Sequence, residues 1–332
     1  MHGAHIVLLT YTNSNVDELI SRVREKCGVV PSRIEVMSWF TFLLRECARP
    51  YQRAIYSEAA IGGLCFCNAR SAKFVPRSEK PKYYFNASGE VFSDKISEFT
   101  LACNEQTSGA VLKRLGAIYD AIFIDEVQDL AGYDLDVVEL LLRSSIRVIL
   151  VGDPRQKTYT TNQALRNRQF QGIGLLRKAM EWQHKGLCRQ EAQAWSYRCN
   201  QEICNYADKL YPDLETTISR NCEQTGHDGV FIVTSSHLQD YVRKYAPAVL
   251  RYDKRTDTHG HYAVNFGNSK GRTFDRVLIL PHGRIKEYLR TGKAKAIDGS
   301  REKFYVAVTR AKFSVAFLFD EVAQAGYRLW EP

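Results

Sequence analysis

Two apolar segments of this 332-residue chain end in acidic residues suited to chemistry on a triphosphate. Residues 122–124 precede Asp125 and Glu126, and residues 148–152 precede Asp153. A buried parallel strand that ends in carboxylates lets an α/β fold hold magnesium and a base beside a nucleotide. Many parallel strands end in a single acid, but two adjacent acids are rarer. The pattern predicts phosphoryl transfer to water, with Asp125 as the magnesium-associated carboxylate and Glu126 as the base that orients the water.

Other polar side chains fit the same reaction. Gln156 follows the second acidic segment closely and has an amide that can sense a γ-phosphate. Charge that develops on phosphoryl oxygens is best met by a fixed guanidinium, and the candidates are Arg198 and Arg310. Taken singly, each arginine is more typical of a solvated surface position, because the chain contains 46 lysines and arginines.

Strand and helix patterns alternate around these residues. An apolar strand is predicted at 6–10, and a helix follows it behind the cap candidates at 13–15 and ends at Gly28. A second strand is predicted at 34–38, and an apolar run at 39–44 opens another helix.

From about residue 50 to residue 116 the periodicity weakens and turn residues become frequent, which predicts an inserted subdomain. Its basic stretch from Arg70 to Lys82 has two interpretations. One is a phosphate-contacting surface, which needs positive charge without base specificity, and the other is a solvated loop.

The alternation continues through a helix at 175–182 and three further strand patterns at 229–234, 276–280 and 314–319. We therefore predict an α/β protein built from two tandem, doubly wound parallel-sheet domains with a small insertion in the first. The predicted domains are residues 1–186 and 187–332.

Composition narrows the class of partner. A formal charge of +9 and a pI near 9.0 favour a polyanion, and nucleic acid fits better than a membrane. No long apolar run or signal-like N-terminus is evident, so an intracellular, cytoplasmic protein is expected. The nine cysteines include one C-x-C at Cys65 and Cys67 but no second pair at zinc-finger spacing, which favours reduced thiols over a metal site.

A series of segments resembles, in order, the motifs of the UvrD/Rep/PcrA branch of superfamily 1 helicases. Asp125-Glu126-Val127-Gln128-Asp129 is similar to D-E-x-Q-D, and Tyr305-Val306-Ala307-Val308-Thr309-Arg310-Ala311 is similar to Y-V-A-x-T-R-A. The other segments that carry the resemblance are Leu9-Thr10-Tyr11-Thr12-Asn13, Val36-Met37-Ser38-Trp39-Phe40, Gly152-Asp153-Pro154-Arg155-Gln156-Lys157-Thr158-Tyr159, Ser196-Tyr197-Arg198-Cys199 and Ser269-Lys270-Gly271. The resemblance extends from residue 6 to about residue 319 and implies two RecA-like domains.

The resemblance also implies roles for residues. It implies an ATP- and Mg²⁺-dependent helicase or translocase that acts on single-stranded DNA or a single-strand/duplex junction, with the nucleotide in a cleft between the domains. Gln128 and Gln156 would couple the nucleotide to DNA, while Arg198 and Arg310 would contact the γ-phosphate. Tyr197 would stack on the adenine, and Asp153 and Gly271 complete the predicted nucleotide-binding set. The predicted strand-binding residues are Thr10, Asn13, Trp39, Tyr159 and Lys270.

The chain departs from the family pattern in three respects. The sequence contains no G-x-x-x-x-G-K-[ST] phosphate loop. Thr273 stands where the family usually has a glutamate, and the large helical insertion typical of the second domain has no counterpart. The expected explanation for the missing loop is a shortened chain. The alternative is an ATPase-deficient, DNA-binding regulatory subunit that works with a nuclease or other partner, as compact helicases do in phage-defence systems of the Gabija type.

Two other hypotheses compete with the helicase. Gly267-Asn268-Ser269-Lys270-Gly271 matches G-x-S-x-G, the nucleophile elbow of α/β hydrolases, but a strand rather than a helix is predicted after it. A nucleotide-dependent switch that docks on a partner protein is also compatible with the motifs.

Overall fold

The computed structural model describes residues 3–57, 59–324 and 326–332. The chain forms two compact units, Met1–Gln190 and Glu191–Pro332. The boundary predicted at 186/187 lies four residues before this division.

Strands and helices alternate through the first unit. Within the described residues its strands, β1 to β6, are Ile6–Thr10, Ile34–Ser38, Leu64–Cys65, Val91–Phe92, Ala121–Ile124 and Arg147–Leu150. Its α-helices, α1 to α7, are Asn13–Cys27, Trp39–Phe42, Lys80–Tyr84, Ile96–Gln106, Ala110–Ile118, Asp134–Leu142 and Gly174–His184. Beyond α2 the helical path continues as a π-helix at Leu43–Ala48 and a 3₁₀ helix at Arg49–Ala54.

Four of these strands form one sheet in the order β2-β1-β5-β6, and each neighbouring pair is parallel. Val7, Leu9, Ile122 and Ile124 are buried on it, and each such side chain contributes about 1.5–3 kcal/mol of transfer free energy. Because the strands are parallel, their carboxyl ends meet at one edge. Asp125 directly follows β5 at that edge.

The cap of α1 differs from the sequence prediction. Thr12, rather than one of residues 13–15, caps the helix, because its side-chain oxygen accepts a hydrogen bond from the Asn15 amide at 3.2 Å. Gly28 ends the helix as predicted, with a φ of 78° that favours glycine.

The predicted insertion lies within the first unit. Residues 50–116 contain the two-stranded parallel sheet β3-β4 and the helices α3 to α5. Phe85, Ile96 and Phe99 from this region belong to the same hydrophobic core as β1 and β5.

The second unit contains the remaining elements. Within the described residues its strands, β7 to β14, are Trp195–Ser196, Ile218–Ser219, Gly229–Val233, Ala248–Arg251, Ala263–Asn265, Phe274–Leu280, Ala311–Leu318 and Arg328–Leu329. Its α-helices, α8 to α11, are Gln201–Asp208, Leu238–Tyr245, Gly283–Thr291 and Arg301–Val308.

A parallel sheet also organises this unit. Its order is β11-β10-β12-β13-β9-β14, and β12 and β13 lie at the centre, where the apolar side chains of residues 277–280 and 315–318 are buried. The predicted α/β fold class, with a parallel sheet in each half, is therefore confirmed. Among the described residues, no helix combines the length and apolar character that a membrane crossing requires.

Candidate functional site

The acid pair lies at the carboxyl edge of the first sheet. The Asp125 amide donates a hydrogen bond to the Leu9 carbonyl at 2.8 Å, which extends the β1–β5 ladder by one bond. The Glu126 amide in turn donates to Asp125 Oδ1 at 2.9 Å, and both acids are half-buried. Glu126 has a φ of 57°, in the left-handed region that non-glycine residues seldom adopt. This turn directs the chain away from the strand immediately after the first acid.

Gln128 holds the second acid in place. Its Nε2 donates to Glu126 Oε2, and the side chain is buried. Gly152, which follows β6, makes room for it: a Cβ at that position would lie 2.3 Å from Gln128 Oε1. The orientation of Glu126 therefore depends on the absence of a side chain at Gly152.

Asp153 and Gln156 form the neighbouring part of this edge. Asp153 Oδ2 accepts a hydrogen bond from Gln156 Nε2 at 3.0 Å, and its Oδ1 accepts from Arg155 Nε at 2.9 Å. Asp153 also caps the short 3₁₀ turn Pro154–Gln156. Its visible role is to orient Gln156 and Arg155. We call Asp125, Glu126, Gln128, Asp153 and Gln156 the acid cluster.

Aromatic rings line the same edge. Tyr11 contacts Tyr159 with ring centroids 5.8 Å apart, and it contacts Phe40 at 5.9 Å. Phe40 in turn meets the exposed ring of Phe66 edge-on at 5.4 Å. Burial, with added effects of the Asp129 and Asp134 carboxylates, raises the pKa of Tyr11. Tyr11, Phe40, Phe66 and Tyr159 form a continuous row that we call the aromatic row.

Trp39 is not part of that row. It is buried, it stacks on Phe42, and its Nε1 donates to Asp134 Oδ1 at 3.1 Å. Asp134 is fully buried, where it also accepts hydrogen bonds from Ser97 and Thr161, and burial raises its pKa. With its ring covered, Trp39 has no free face for a base, which argues against the predicted stacking role. Ser38 caps helix α2, because its side-chain oxygen accepts a hydrogen bond from the Thr41 amide. In the helix that begins here, Trp39 and Phe40 point in different directions.

Thr10 and Asn13, the other predicted strand-binding residues of this unit, have different surroundings. Thr10 is buried and its hydroxyl accepts a hydrogen bond from Asn15 Nδ2 at 3.4 Å, so it supports the start of α1. Asn13 is exposed at the first position of that helix. Of the two, Asn13 is the accessible one.

In the second unit, three motifs that are far apart in the sequence converge on Arg198. Its Nε donates to Thr273 Oγ1 at 2.9 Å, and its Nη1 donates to the Thr309 carbonyl at 3.1 Å. Thr273 precedes β12 and Thr309 precedes β13, so this contact lies at the amino edge of the second sheet. The threonine that replaces the family's glutamate thus holds the guanidinium of Arg198.

Arg310 lies at the same edge of the second sheet, directly before β13. It is buried, its Nε donates to the Val306 carbonyl at 3.2 Å, and its Nη1 donates to the Arg272 carbonyl at 3.4 Å. The hydrogen-bonded thiol of Cys204 and the charges of Arg198 and Arg310 lower the pKa of the Cys199 thiol. Both guanidiniums therefore influence the same buried thiol, that of Cys199. We call Arg198, Arg310, Thr273 and Thr309 the arginine cluster.

The remaining predicted residues of this unit flank the cluster. Tyr197 is 77% exposed, so a ring face is open to a planar base. Lys270 and Gly271 form the turn before β12, and Gly271 has a φ of 81°. Ser269 is buried with its hydroxyl donating to the Phe266 carbonyl at 2.7 Å, which excludes the serine-nucleophile hypothesis.

Potential metal ligands are dispersed through the part of the chain that the structure describes. Within the described ranges no group of three or more histidine, cysteine, aspartate or glutamate side chains is arranged to hold a metal ion. All nine cysteines are free thiols. Asp125 nevertheless fits magnesium, since this ion usually takes one or two protein carboxylates and completes its shell with water and phosphate oxygens.

The family of the chain follows from these features taken with its sequence. Residues 102–319 match the model of the viral superfamily 1 RNA helicase core domain, which covers the acid cluster and the arginine cluster. The chain belongs to this family. The predicted assignment to superfamily 1 helicases is confirmed, whereas the match gives no support for the UvrD/Rep/PcrA branch in particular.

Similar solved structures are helicases of arteriviruses. The crystal structure of arterivirus nonstructural protein 10 has 13% identity and a TM-score of 0.45, over 96% of this chain and 54% of that one. The same protein in complex with DNA gives 12% and 0.44 over the same shares, and the PRRSV helicase gives 15% and 0.40 over 97% and 50%. The chain thus spans about half the length of these structures. No curated protein matches the chain.

Proposed function

We propose that this chain is the motor core of a helicase or translocase that hydrolyses ATP with magnesium and moves along single-stranded nucleic acid. The observation that carries the proposal is the presence of two complementary clusters, one acidic and one basic, in two units that each contain a parallel sheet. An acid pair supplies what hydrolysis needs on the side of the attacking water, and arginines supply what it needs on the side of the phosphoryl oxygens.

Each residue has a defined part in this proposal. Asp125 would hold a magnesium ion, which would supply positive charge to offset that of the phosphate oxygens. Glu126 orients the attacking water and accepts its proton, and Gln128 keeps that carboxylate in position through the bond from its Nε2. The Gln156 amide, fixed by Asp153, senses the γ-phosphate.

The arginine cluster acts on the same nucleotide in this proposal. Arg198 and Arg310 stabilise the charge that spreads over the transferred phosphoryl group, and their backbone partners keep them oriented before the reaction. Tyr197 stacks on the adenine. Lys270 and Asn13 contact the strand, together with Tyr159.

The strand itself is the finer part of the proposal. The UvrD-like motifs favour DNA or a single-strand/duplex junction, whereas the matching family is described as an RNA helicase core. A formal charge of +9 suits either polyanion. A nuclease or another protein subunit as partner is an extension of the motif resemblance alone.

The test is ATP hydrolysis measured with no nucleic acid, with a single-stranded DNA and with a single-stranded RNA of the same length. It is run on the 332-residue chain and on a form extended upstream to include a phosphate loop. The form that hydrolyses ATP is called the hydrolysing form. Stimulation by one strand type supports the proposal and identifies the substrate.

Strand binding is measured on the same samples. Binding without hydrolysis in either form would replace the motor with the regulatory subunit that the sequence also allows. Neither binding nor hydrolysis would overturn both.

A further inference from the structure

A loop of the first unit, residues 66–79, exposes two aromatic side chains. Phe66 is 71% exposed and Phe74 is 97% exposed. Leaving a phenylalanine in water forfeits the stabilisation of about 1.5–3 kcal/mol that burial would provide. An exposed ring also offers a face on which a nucleic-acid base can stack.

The backbone of this loop is held in place. The Cys67 amide donates to Ser93 Oγ at 3.1 Å. The Ser71 amide and hydroxyl donate to the two carboxylate oxygens of buried Asp94, at 2.9 and 2.5 Å. Both aromatic residues therefore extend from anchored backbone, and ordering them on a ligand costs less entropy than ordering a free loop.

The charged side chains of the loop are mostly basic. Arg70 and Lys73 in the loop and Lys80 at the start of α3 are exposed, and within the described ranges neither Arg70 nor Lys73 forms an ion pair. Arg77 is different, because it pairs with the buried Glu98 at 2.9 Å and so supports the loop from below. Aromatic side chains beside such cations suit a ligand that has both bases and phosphates.

The loop also connects to the site already described. The Phe66 ring meets Phe40 at 5.4 Å, and Phe40 continues through Tyr11 to Tyr159. Phe66 is thus the exposed end of the aromatic row, whose other end, Tyr159, comes three residues after Gln156 in the sequence. A strand bound at the carboxyl edge of the first sheet would reach the loop without crossing the core.

We propose that the loop 66–79 is a binding surface for single-stranded nucleic acid, with Phe66 and Phe74 stacking on bases and Arg70 and Lys73 pairing with phosphates. This inference rests on the proposed function and adds the residues that bind the strand beyond the sheet edge.

The experiment measures binding of the intact chain to a labelled single-stranded 15-mer by fluorescence anisotropy, and to a 15-mer of the same length with abasic sugars. Phe74→Ala and Phe66→Ala should each weaken binding to the base-containing strand by about fivefold or more, since stacking is worth about 1–3 kcal/mol per base and each 1.4 kcal/mol is about tenfold. Neither should change binding to the abasic strand. Phe74→Leu keeps the apolar volume but removes the ring, and it should resemble Phe74→Ala.

The charge variants have a different signature. The double change Arg70→Gln with Lys73→Gln should weaken binding to both strands and reduce the salt slope by about 0.7 for each phosphate that is no longer neutralised. Matched controls are Tyr262→Ala, an 86% exposed ring of the second unit, and Arg24→Gln with Lys26→Gln in the last turn of α1. Tyr262→Ala should change the affinity difference between the base-containing and the abasic strand much less than the phenylalanine variants do. Arg24→Gln with Lys26→Gln should change the salt slope much less than Arg70→Gln with Lys73→Gln does.

The outcomes separate this inference from the proposed function. If the unchanged chain binds no single strand, both fall. If it binds, and the phenylalanine variants with normal thermal unfolding bind equally well, the inference is wrong while the motor proposal stands. The exposed rings would then be better explained by a protein partner. Equal weakening on the base-containing and the abasic strand would also overturn the stacking role.

Discussion

The candidate site residues of the two units lie at opposite edges of their parallel sheets. In the first unit the acids follow the carboxyl ends of strands, and Asp125 directly follows β5. In the second unit Arg310 comes two residues after helix α11 and directly before β13, at the amino edge. The positive end of a helix dipole favours nearby anions, and the negative end favours cations. Helix α1 begins at the first edge and α11 ends at the second, so each edge suits the charge that it carries.

The largest effect should come from the amino edge of the second sheet. Arg198→Ala should lower the hydrolysis rate of the hydrolysing form by about 10³-fold or more, because removing the guanidinium leaves the transition-state charge unmet. Its contacts to Thr273 and Thr309 are worth about 1 kcal/mol each, so the fold should persist. Steady-state kinetics and thermal unfolding check this, with the exposed Arg243→Ala as control. An unchanged rate would remove Arg198 from the chemistry.

Arg310 should behave differently from Arg198, although both belong to the arginine cluster. It is buried and bonded to two backbone carbonyls, so Arg310→Ala should lower thermal stability as well as hydrolysis. A loss of hydrolysis with no shift in thermal unfolding would show that its contribution to the fold is small.

At the carboxyl edge of the first sheet, Glu126→Gln should lower hydrolysis by about 10²–10⁴-fold, because the amide cannot accept the proton of the attacking water. Strand binding should be unchanged, since the fold and the aromatic row are intact. Glu25→Gln, on the exposed face of α1, is the matched control. Hydrolysis that survives at the original rate would show that another group orients the water.

A smaller effect is expected at Gly152, where the carboxyl edge of the first sheet depends on close packing. Gly152→Ala would bring a Cβ to 2.3 Å from Gln128 Oε1 and 2.9 Å from Val127 Cγ1. Displacing Gln128 disturbs its hydrogen bond to Glu126, so hydrolysis should fall by about tenfold and the free energy of unfolding by about 1–3 kcal/mol. Gly116→Ala in α5, whose Cβ would make only ordinary van der Waals contacts, should leave the hydrolysis rate and the stability unchanged. A rate unaffected by Gly152→Ala would mean that Gln128 does not position the acid.

The smallest effect concerns stability of the second unit in acid. His227 is buried between the rings of Phe231 and Tyr245, and burial, with nearby Arg276 and Arg328, lowers its pKa to about 4. The folded state thus holds a neutral imidazole that the unfolded state protonates below about 6.5. Stability should be fully present above about pH 6.5 and fall by about 1–3 kcal/mol as the pH approaches 4.

Thermal unfolding between about pH 7.5 and 4 checks this prediction. His227→Phe should remove much of the pH dependence, since a phenyl ring can take the same stacked place without a proton to bind. An identical pH profile in the variant would assign the acid sensitivity to other groups.

Much of the carboxyl edge could be predicted from the sequence. An apolar strand followed by an acid places that acid at the strand end whatever the tertiary fold, so the local pattern alone identifies Asp125, Glu126 and Asp153. The strands at 6–10 and 34–38 and the stop at Gly28 have the same local origin.

The prediction of Trp39 as a stacking platform illustrates where a local pattern is insufficient. Trp39 and Phe40 are adjacent aromatics, and only the helix that begins at Ser38 decides which one meets Asp134 and which one meets Tyr11. Phe66 carries no local signal, because its importance comes from its contact with Phe40, which lies far from it in the sequence.

The sequence by itself determined the order of motifs, the strands and acids of the first sheet, and the excess of basic charge, because each depends on neighbouring residues or on totals. Only the tertiary structure decided that Thr273 and Thr309 hold Arg198, that Gly152 makes room for Gln128, and that residues 50–116 share the core of the first unit. Those relations join residues far apart in the chain, and they arise only when the strands pair and the side chains pack.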